Sequence, residues 1–307
     1  MRTALLVANP ASSGFSRPLH RKVAARLART HDVVEAWPSS ADHAREITGK
    51  AVADGVEMVI AMGGDGIIHH VAQAMVGSDT VLGIVPSGTA NVLARQLGIP
   101  VRAPGAAKVL AQPHDVAKIP VLEVTGTGPH GAIHRYAVFS FGVGADADIV
   151  QAAEAEPHRK RDLGPLHYAA VAVSMVRKDI GRRSAELRID AGPHSTLGIG
   201  AMAQFRQSYT YFGPAPMRLS PTEPNPVTLL VVEQLRARRV IAMIRATVGK
   251  RGLETLRGFE VWPDVTEFTV SSGGSTTIQA DGEVLGAITT VTARFLPGAI
   301  SVAVPRS

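Results

Sequence analysis

The sequence predicts a two-domain protein: an N-terminal α/β domain followed by a C-terminal, mainly antiparallel β-domain arranged as a sandwich. Three observations lead there. Up to about Lys118 short apolar runs alternate with helical patterns, as strand–helix–strand units on a parallel sheet require. Beyond it, valine- and threonine-rich stretches are separated by glycine and proline, the pattern of short antiparallel strands. The chain's 307 residues also exceed the roughly 100–200 of one domain. The expected division is 1–118 and 119–298, with a last strand near 299–307 free to return to the first domain.

In the first domain, apolar runs place strands at 4–8, 33–36, 56–62 and 81–85. Helical spacing fills the gaps at 18–30, 41–54, 67–76 and 91–97, the last closed by Gly98 and Pro100. Within 67–76, Ile67, Val71 and Met75 form one apolar stripe, and Ile68, Ala72 and Val76 its neighbour. His69, His70 and Gln73 are left for a polar face. Adjacent helix positions diverge by about 100°, so the two histidines read as that face rather than as paired metal ligands. In the second half, strands are expected at 136–141, 186–189, 197–203, 228–232, 267–270, 276–279, 289–295 and 299–304, with helices at 165–178 and 235–248.

Composition narrows the function. With 45% apolar residues the chain can bury a large core. Zero cysteines exclude disulfides, thiolate metal sites and cysteine nucleophiles, and agree with a cytoplasmic setting. Met1-Arg2-Thr3 leads straight into a strand, too short for a signal peptide. The longest apolar stretch, 168–176, falls short of the ~20 residues of a membrane span, so a soluble protein is expected. Net charge is +6, with much of the excess in His158-Arg159-Lys160-Arg161, Arg177-Lys178, Arg182-Arg183, Arg236 and Arg238-Arg239. Such clusters suit solvated helix faces, an anionic membrane surface or nucleotide phosphates. Aromatic residues, 5% of the chain, do not interleave with them, so nucleic acid is not an expected partner.

The chemistry concentrates at strand ends. Gly63-Gly64-Asp65-Gly66 closes an apolar strand and opens a helix, so its amides and the helix N-terminus favour an anion. An aspartate among phosphates needs a Mg²⁺ ion, or a hydroxyl about to lose its proton, which points to phosphoryl transfer. Two more loops fall on the same carboxyl edge: Asn9-Pro10-Ala11-Ser12-Ser13-Gly14 and Pro86-Ser87-Gly88-Thr89-Ala90-Asn91, where Thr89 is placed to cap a helix. The Walker lysine loop, Gly-x-Gly-x-x-Gly and Gly-x-Ser-x-Gly are all absent. Late in the chain, Asp281-Gly282-Glu283 reads locally as a hairpin turn. Functionally, it would aim two carboxylates to one side of an extended segment, to hold Mg²⁺ and accept a hydroxyl proton.

Taken in order, these pieces resemble the diacylglycerol kinase catalytic-domain family, which includes bacterial lipid kinases and sphingosine and ceramide kinases. The matching residues are Asn9-Pro10 with Ser13-Gly14, Gly63-Gly64-Asp65-Gly66, Pro86 to Asn91, Phe141-Gly142-Val143-Gly144-Ala145-Asp146-Ala147 and Asp281-Gly282-Glu283. Lys160, Leu163-Gly164, Tyr168 and the Gly98-Ile99-Pro100 ending also look familiar. The resemblance implies a first domain folded like NAD kinases and 6-phosphofructokinase. It implies ATP and Mg²⁺ as cofactors and a lipid hydroxyl, of the diacylglycerol or long-chain-base type, as acceptor. By carry-over Asn9, Pro10, Ser12, Ser13, Gly14, Gly63, Gly64, Asp65, Gly66, Gly88, Thr89 and Asn91 cradle ATP, and Ser39 or Ser40 stands for a nucleotide-contacting threonine. Glu283 matches the proton acceptor of many bacterial members, with Asp65 and Asp281 assisting through Mg²⁺. The lipid is expected at the membrane surface, to which the protein attaches peripherally; self-association is compatible.

The chain also departs from the family pattern. Ile67 and His69-His70 replace Thr and an acidic pair member, Val92 replaces Asp, and 214–220 lacks the acidic residues that hold a structural Mg²⁺, with only Glu223 nearby. Asp115 is then expected to lack its ionic partners. Two alternatives stay open: an NAD-kinase-like enzyme, for which Ser271-Ser272-Gly273-Gly274-Ser275 is a poor substrate motif, and a nucleotide- or lipid-binding regulator without kinase activity.

Overall fold

The computed structural model describes residues 2–156, 165–249 and 252–306. The basic cluster at 158–161 and the family-like Lys160 and Leu163-Gly164 lie outside them. The chain forms two compact units, Met1–Val121 with Leu296–Ser307, and Leu122–Phe295.

Unit 1 begins with β1 (Arg2–Ala8), α1 (Arg17–Leu27), β2 (His31–Ala36), α2 (Ala41–Ala53), β3 (Met58–Gly63), α3 (Asp65–Gln73) and β4 (Val81–Pro86). Two short helices come next, α4 (Val92–Gln96) and α5 (Ala103–Leu110). All strand pairings here are parallel: β2 beside β1, β1 beside β3, β3 beside β4. The chain's last strand adds Ser301 and Val302 against Val81 and Leu82. Both faces of the sheet are covered, which is why β1 and β3 read as unbroken apolar runs. Ala4, Leu6, Ile60, Met62 and Val85 share one core with Val23 and Leu27 of α1 and Ala107 and Leu110 of α5. Each such Leu or Ile contributes about 1.5–3 kcal/mol by burial. Ser16 and Ser40 cap α1 and α2 with their hydroxyls, which fixes where each helix starts behind its strand.

Unit 2 is antiparallel. It comprises the second half of β5 (Asp115–Gly128), β6 (Gly131–Ala137), β7 (Ser140–Gly144), α6 (Ala145–Glu154), α7 (Pro165–Lys178), β8 (Leu187–Ala191), β9 (His194–Gly198) and β10 (Gly200–Gln204). A small hairpin, β11 (Thr210–Phe212) with β12 (Ala215–Met217), precedes β13 (Val227–Val232), α8 (Ala237–Val248), β14 (Phe259–Val265), β15 (Glu267–Ala280) and most of β16 (Glu283–Val304). The strands run β14-β13-β10-β7-β15-β16, with β5 and β6 beyond β16 and β8 and β9 branching from β15. β15 makes the branch possible: residues 269–272 pair with β8 and residues 278–280 with β7, across a register break between Ser271 and Thr276. The sandwich is therefore one hydrogen-bonded sheet folded over a core containing Phe141, Ile189, Leu229, Val270 and Ile278. On β13, Leu229 and Val231 face that core while Leu230 and Val232 face α7 and α8. Buried on both faces, this strand too is a continuous apolar run.

The expected fold class holds, with local corrections. The 267–270 and 276–279 strands are one, as are 289–295 and 299–304, because glycine and proline bend these strands without ending them. The expected strand 136–141 straddles the end of β6 and the start of β7, and 197–203 divides between β9 and β10. Helices α5 and α6 escaped the periodicity reading. His69 does not lie on a polar face: it is 1% exposed, on the buried side of α3.

Candidate active site

In unit 1 the three loops after β1, β3 and β4 meet at the carboxyl edge of the parallel strands and are tied to one another. The Gly14 N–H donates to the Ser87 carbonyl at 2.8 Å and the Ser87 N–H to the Gly63 carbonyl at 2.7 Å. Asn9 N–H donates to the Met62 carbonyl at 2.9 Å. Hydroxyls add a second layer, Ser12 Oγ with Ser87 Oγ at 2.8 Å and Ser13 Oγ with Thr89 Oγ1 at 3.2 Å. The packing demands glycine. A methyl group on Gly88 would lie 2.5 Å from the Gly64 Cα, and one on Gly14 would lie 2.9 Å from the Ser87 carbonyl oxygen. Two backbones thus touch where the phosphate-binding reading needs exposed amides and no side chains.

Asp65 is the first residue of α3, after Gly64 at the cap, and is half-buried. The positive end of the helix favours its carboxylate there and would equally favour an anion beside it. Asn91, not Thr89, caps α4. Its backbone is left-handed (φ 48°), and its side chain closes a ring on Gly88, Oδ1 accepting from Gly88 N–H at 3.0 Å and Nδ2 donating to the Gly88 carbonyl at 2.8 Å. Asn91 therefore shapes the glycine loop, and Thr89 is released from the cap to pair with Ser13. Ser40 spends its hydroxyl on capping α2, and Ser39 bonds His43 Nδ1 at 3.0 Å. His70 takes a bond from Arg45 at 3.3 Å, and Val92 is buried in the core. Asp115 lies 3.7 Å from Arg306, an exposed ion pair.

In unit 2, Asp281 and Gly282 form a two-residue hairpin between β15 and β16, with φ of 58° and 84°. Both positive angles are what a type I′ turn requires, and Asp-Gly is among its preferred pairs. The alternation rule that would set Asp281 and Glu283 on one side does not apply across such a turn. Asp281 is 4% exposed and its carboxylate points inward. Oδ1 accepts from the backbone N–H groups of Val138, Phe139 and Ser140 at 3.0, 2.8 and 3.0 Å, and Oδ2 from Val138 at 2.8 Å. Its own N–H donates to the Ser140 carbonyl at 2.9 Å. The expectation that Asp281 holds Mg²⁺ and assists catalysis is corrected accordingly: its oxygens are spent on amides, and it anchors the turn. Glu283 is half-buried at the start of β16.

Behind the turn lies a polar cluster that sequence reasoning missed. Gln279 Oε1 accepts from Gly282 N–H at 2.9 Å, while Gln279 Nε2 donates to Asp146 Oδ2 and Tyr209 Oη, each at 2.8 Å. The Tyr209 hydroxyl donates to the same Asp146 oxygen at 2.6 Å. Burial pushes the Asp146 carboxyl above the usual carboxylate range, against the pull of those two donors. Burial, and then the neighbouring Asp146, push the Tyr209 hydroxyl well above its ordinary value. Asp146 stood in the Phe141–Ala147 motif, but nothing in the sequence pairs it with Tyr209.

Among the described residues no three His, Asp or Glu side chains gather as a metal cage. Unit 1's edge offers a different donor set: one carboxylate, Asp65, among the hydroxyls of Ser12, Ser13, Ser87 and Thr89. That set fits a magnesium ion carried in on phosphates, which ordinarily takes only one or two protein carboxylates.

Residues 3–124 match the family model described as Diacylglycerol kinase catalytic domain. A protein named "Diacylglycerol kinase" from Mycobacterium tuberculosis (strain CDC 1551 / Oshkosh) is 41% identical over 88 residues, 29% of this chain and 28% of that protein. One named "Probable lipid kinase YegS-like" from Xanthomonas euvesicatoria pv. vesicatoria (strain 85-10) is 34% identical over 153 residues, 47% of this chain and 45% of that protein. The matches thus span less than half the length of these relatives. A solved structure of a diacylglycerol kinase from Bacillus anthracis str. Sterne superposes with a TM-score of 0.68 at 17% identity, over 99% of this chain and 96% of that one, a likeness of fold. The match of residues 3–124 to the diacylglycerol kinase catalytic-domain model takes in nearly the whole continuous part of unit 1.

Proposed function

We propose that the protein is an ATP-dependent lipid kinase that transfers the γ-phosphate to the hydroxyl of a lipid alcohol of the diacylglycerol or long-chain-base type. The observation that carries the reading is the carboxyl edge of unit 1, where three loops are locked together through glycine contacts beside the N-terminus of α3, whose first-turn amides have no partner within the helix. Those amides and the N-terminus of α3 would bind and orient the nucleotide's phosphates. Asp65 would hold Mg²⁺, which when bound neutralises charge developing on the transferred phosphoryl group. Glu283 would accept the proton of the lipid hydroxyl, held in place by the turn that Asp281 and Gln279 fix from behind. The lipid would be met at a membrane surface; no helix among the described residues is long and apolar enough to cross one.

The test is incubation of the purified protein with γ-labelled ATP, Mg²⁺ and a panel of lipid alcohols, with identification of labelled lipid. Labelled product is expected. Nucleotide binding with no labelled lipid across the panel would refute the kinase reading, and labelled NADP⁺ from NAD⁺ would establish the NAD-kinase alternative instead.

A further inference from the structure

Helices α7 and α8 of unit 2 pack against each other over the core around Val176, Leu230 and Val240, and each keeps an outer stripe with an unusual make-up. On α8, Arg238, Ile241, Arg245 and Val248 succeed one another at i, i+3, i+7 and i+10, one line along the helix. All four are exposed, Ile241 by 58% and Val248 by 37%. On α7, Leu166, Ala170, Val173 and Arg177 make the equivalent line, with Leu166 61% exposed. Between the helices lies a hollow of about 610 Å³ lined by Ala170, Val173, Ile241 and Ile244 together with Arg177 and Lys178. Neither helix contains an aspartate or glutamate.

From this surface we infer that the outer face of α7 and α8 is where the protein docks on an anionic phospholipid bilayer. The inference deepens the lipid-kinase reading, on which it rests for choosing a bilayer among anionic surfaces. Apolar side chains exposed singly are ordinary, but here they alternate with arginines along α8 and run up to Arg177 and Lys178 on the neighbouring α7. Isolated Ile, Leu and Val can sink to the level of the acyl boundary while arginines extend to the phosphates around them. A second copy of the chain is a poor occupant. A two-fold contact would set Arg177, Lys178, Arg238 and Arg245 against their own duplicates, with no acid on either helix to answer them. A bilayer of neutral lipids would leave the charge unused, whereas each basic residue near an anionic surface strengthens binding about fivefold.

Sedimentation of the full chain with vesicles tests this without ATP or a lipid alcohol. Binding to phosphatidylcholine vesicles containing phosphatidylglycerol is expected, falling with added salt and weak on phosphatidylcholine alone. Arg238→Glu with Arg245→Glu should weaken it at least about 25-fold. Leu166→Ser with Ile241→Ser, which leaves the charge intact, should weaken it on the anionic vesicles as well. Both pairs should keep the wild-type circular dichroism and nucleotide affinity. The docking assignment is overturned if the wild type ignores anionic vesicles, if the arginine pair binds them like the wild type, or if Ile241→Ser converts a dimer to a monomer. Phosphorylation of a short-chain, water-soluble diacylglycerol separates the two readings. Absent turnover with vesicle binding intact strikes the kinase reading alone, and turnover with no vesicle binding strikes the docking face alone.

Discussion

Two aspartates in this chain are each succeeded by glycine at the end of a strand, and they end in opposite situations. Asp65 starts a helix, half-exposed at its positive end. Asp281 occupies a left-handed hairpin position and is 4% exposed, with its carboxylate on the amides of three residues more than 140 positions away in sequence. The dipeptide is the same, but it opens a helix in one place and a hairpin in the other. A helix presents the acid to whatever binds at its N-terminus, while a two-residue hairpin returns the chain at once and leaves the acid to be claimed by neighbouring strands. An Asp-Gly at a strand end is therefore evidence of a site only when the next element is known.

The sharpest way to break this comparison is through Glu283, the acid that the Asp281 turn carries. Glu283→Gln should lower lipid phosphorylation by about 10²–10⁴-fold, with nucleotide affinity and thermal midpoint near wild type. Unchanged turnover would return the proton-acceptor role to one of the two aspartates. Next, Asp281→Ala should cost about 3 kcal/mol of stability in denaturant titration, because it strands buried amides that the carboxylate now satisfies. Asp65→Asn should cost less than about 1 kcal/mol, a helix-dipole effect, while still depressing turnover. The reverse pattern, a stable Asp281→Ala protein and an unfolded Asp65→Asn protein, would exchange the two assignments.

Gly88→Ala probes the Asp65 side alone. Its new methyl meets the Gly64 backbone at 2.5 Å, which must move apart, so nucleotide affinity should fall about tenfold and stability by about 1–3 kcal/mol. Asp146→Asn probes the Asp281 side by pH. Burial raises the Asp146 carboxyl in the folded state, so the folded protein holds this proton more tightly than the unfolded chain. Its contribution is full below the ordinary aspartate range, near pH 4, and is lost as pH climbs through the raised value. Stability of the wild type relative to Asp146→Asn should therefore decline across that window, and equal slopes would show that the carboxyl is not raised.

The first unit was the more legible part of the sequence. Its strands β1, β3 and β4 are buried on both faces over most of their length and read as apolar runs, and its loops carry their glycines because backbones touch there. Helix α5 was missed because Pro104 and Gly105 look like breakers, although proline is well placed in a first helical turn. In the second unit the long strands β15 and β16 were read in pieces, since Ser271 to Ser275 and Pro297-Gly298 resemble turns but act as bends. The loops of the site were legible one by one. The anchoring of Asp281 was not, because its partners at 138–140, and those of Gln279 at Asp146 and Tyr209, are set by strand pairing rather than by any local pattern.

The last strand carries a consequence for synthesis. Residues Ser301 and Val302 lie against β4, so the parallel sheet of unit 1 is completed only after the 174 residues of Leu122–Phe295 have been added to the chain. Until they emerge, β4 presents an open edge of unpaired backbone groups beside a growing chain, the geometry in which stray strands are most easily recruited.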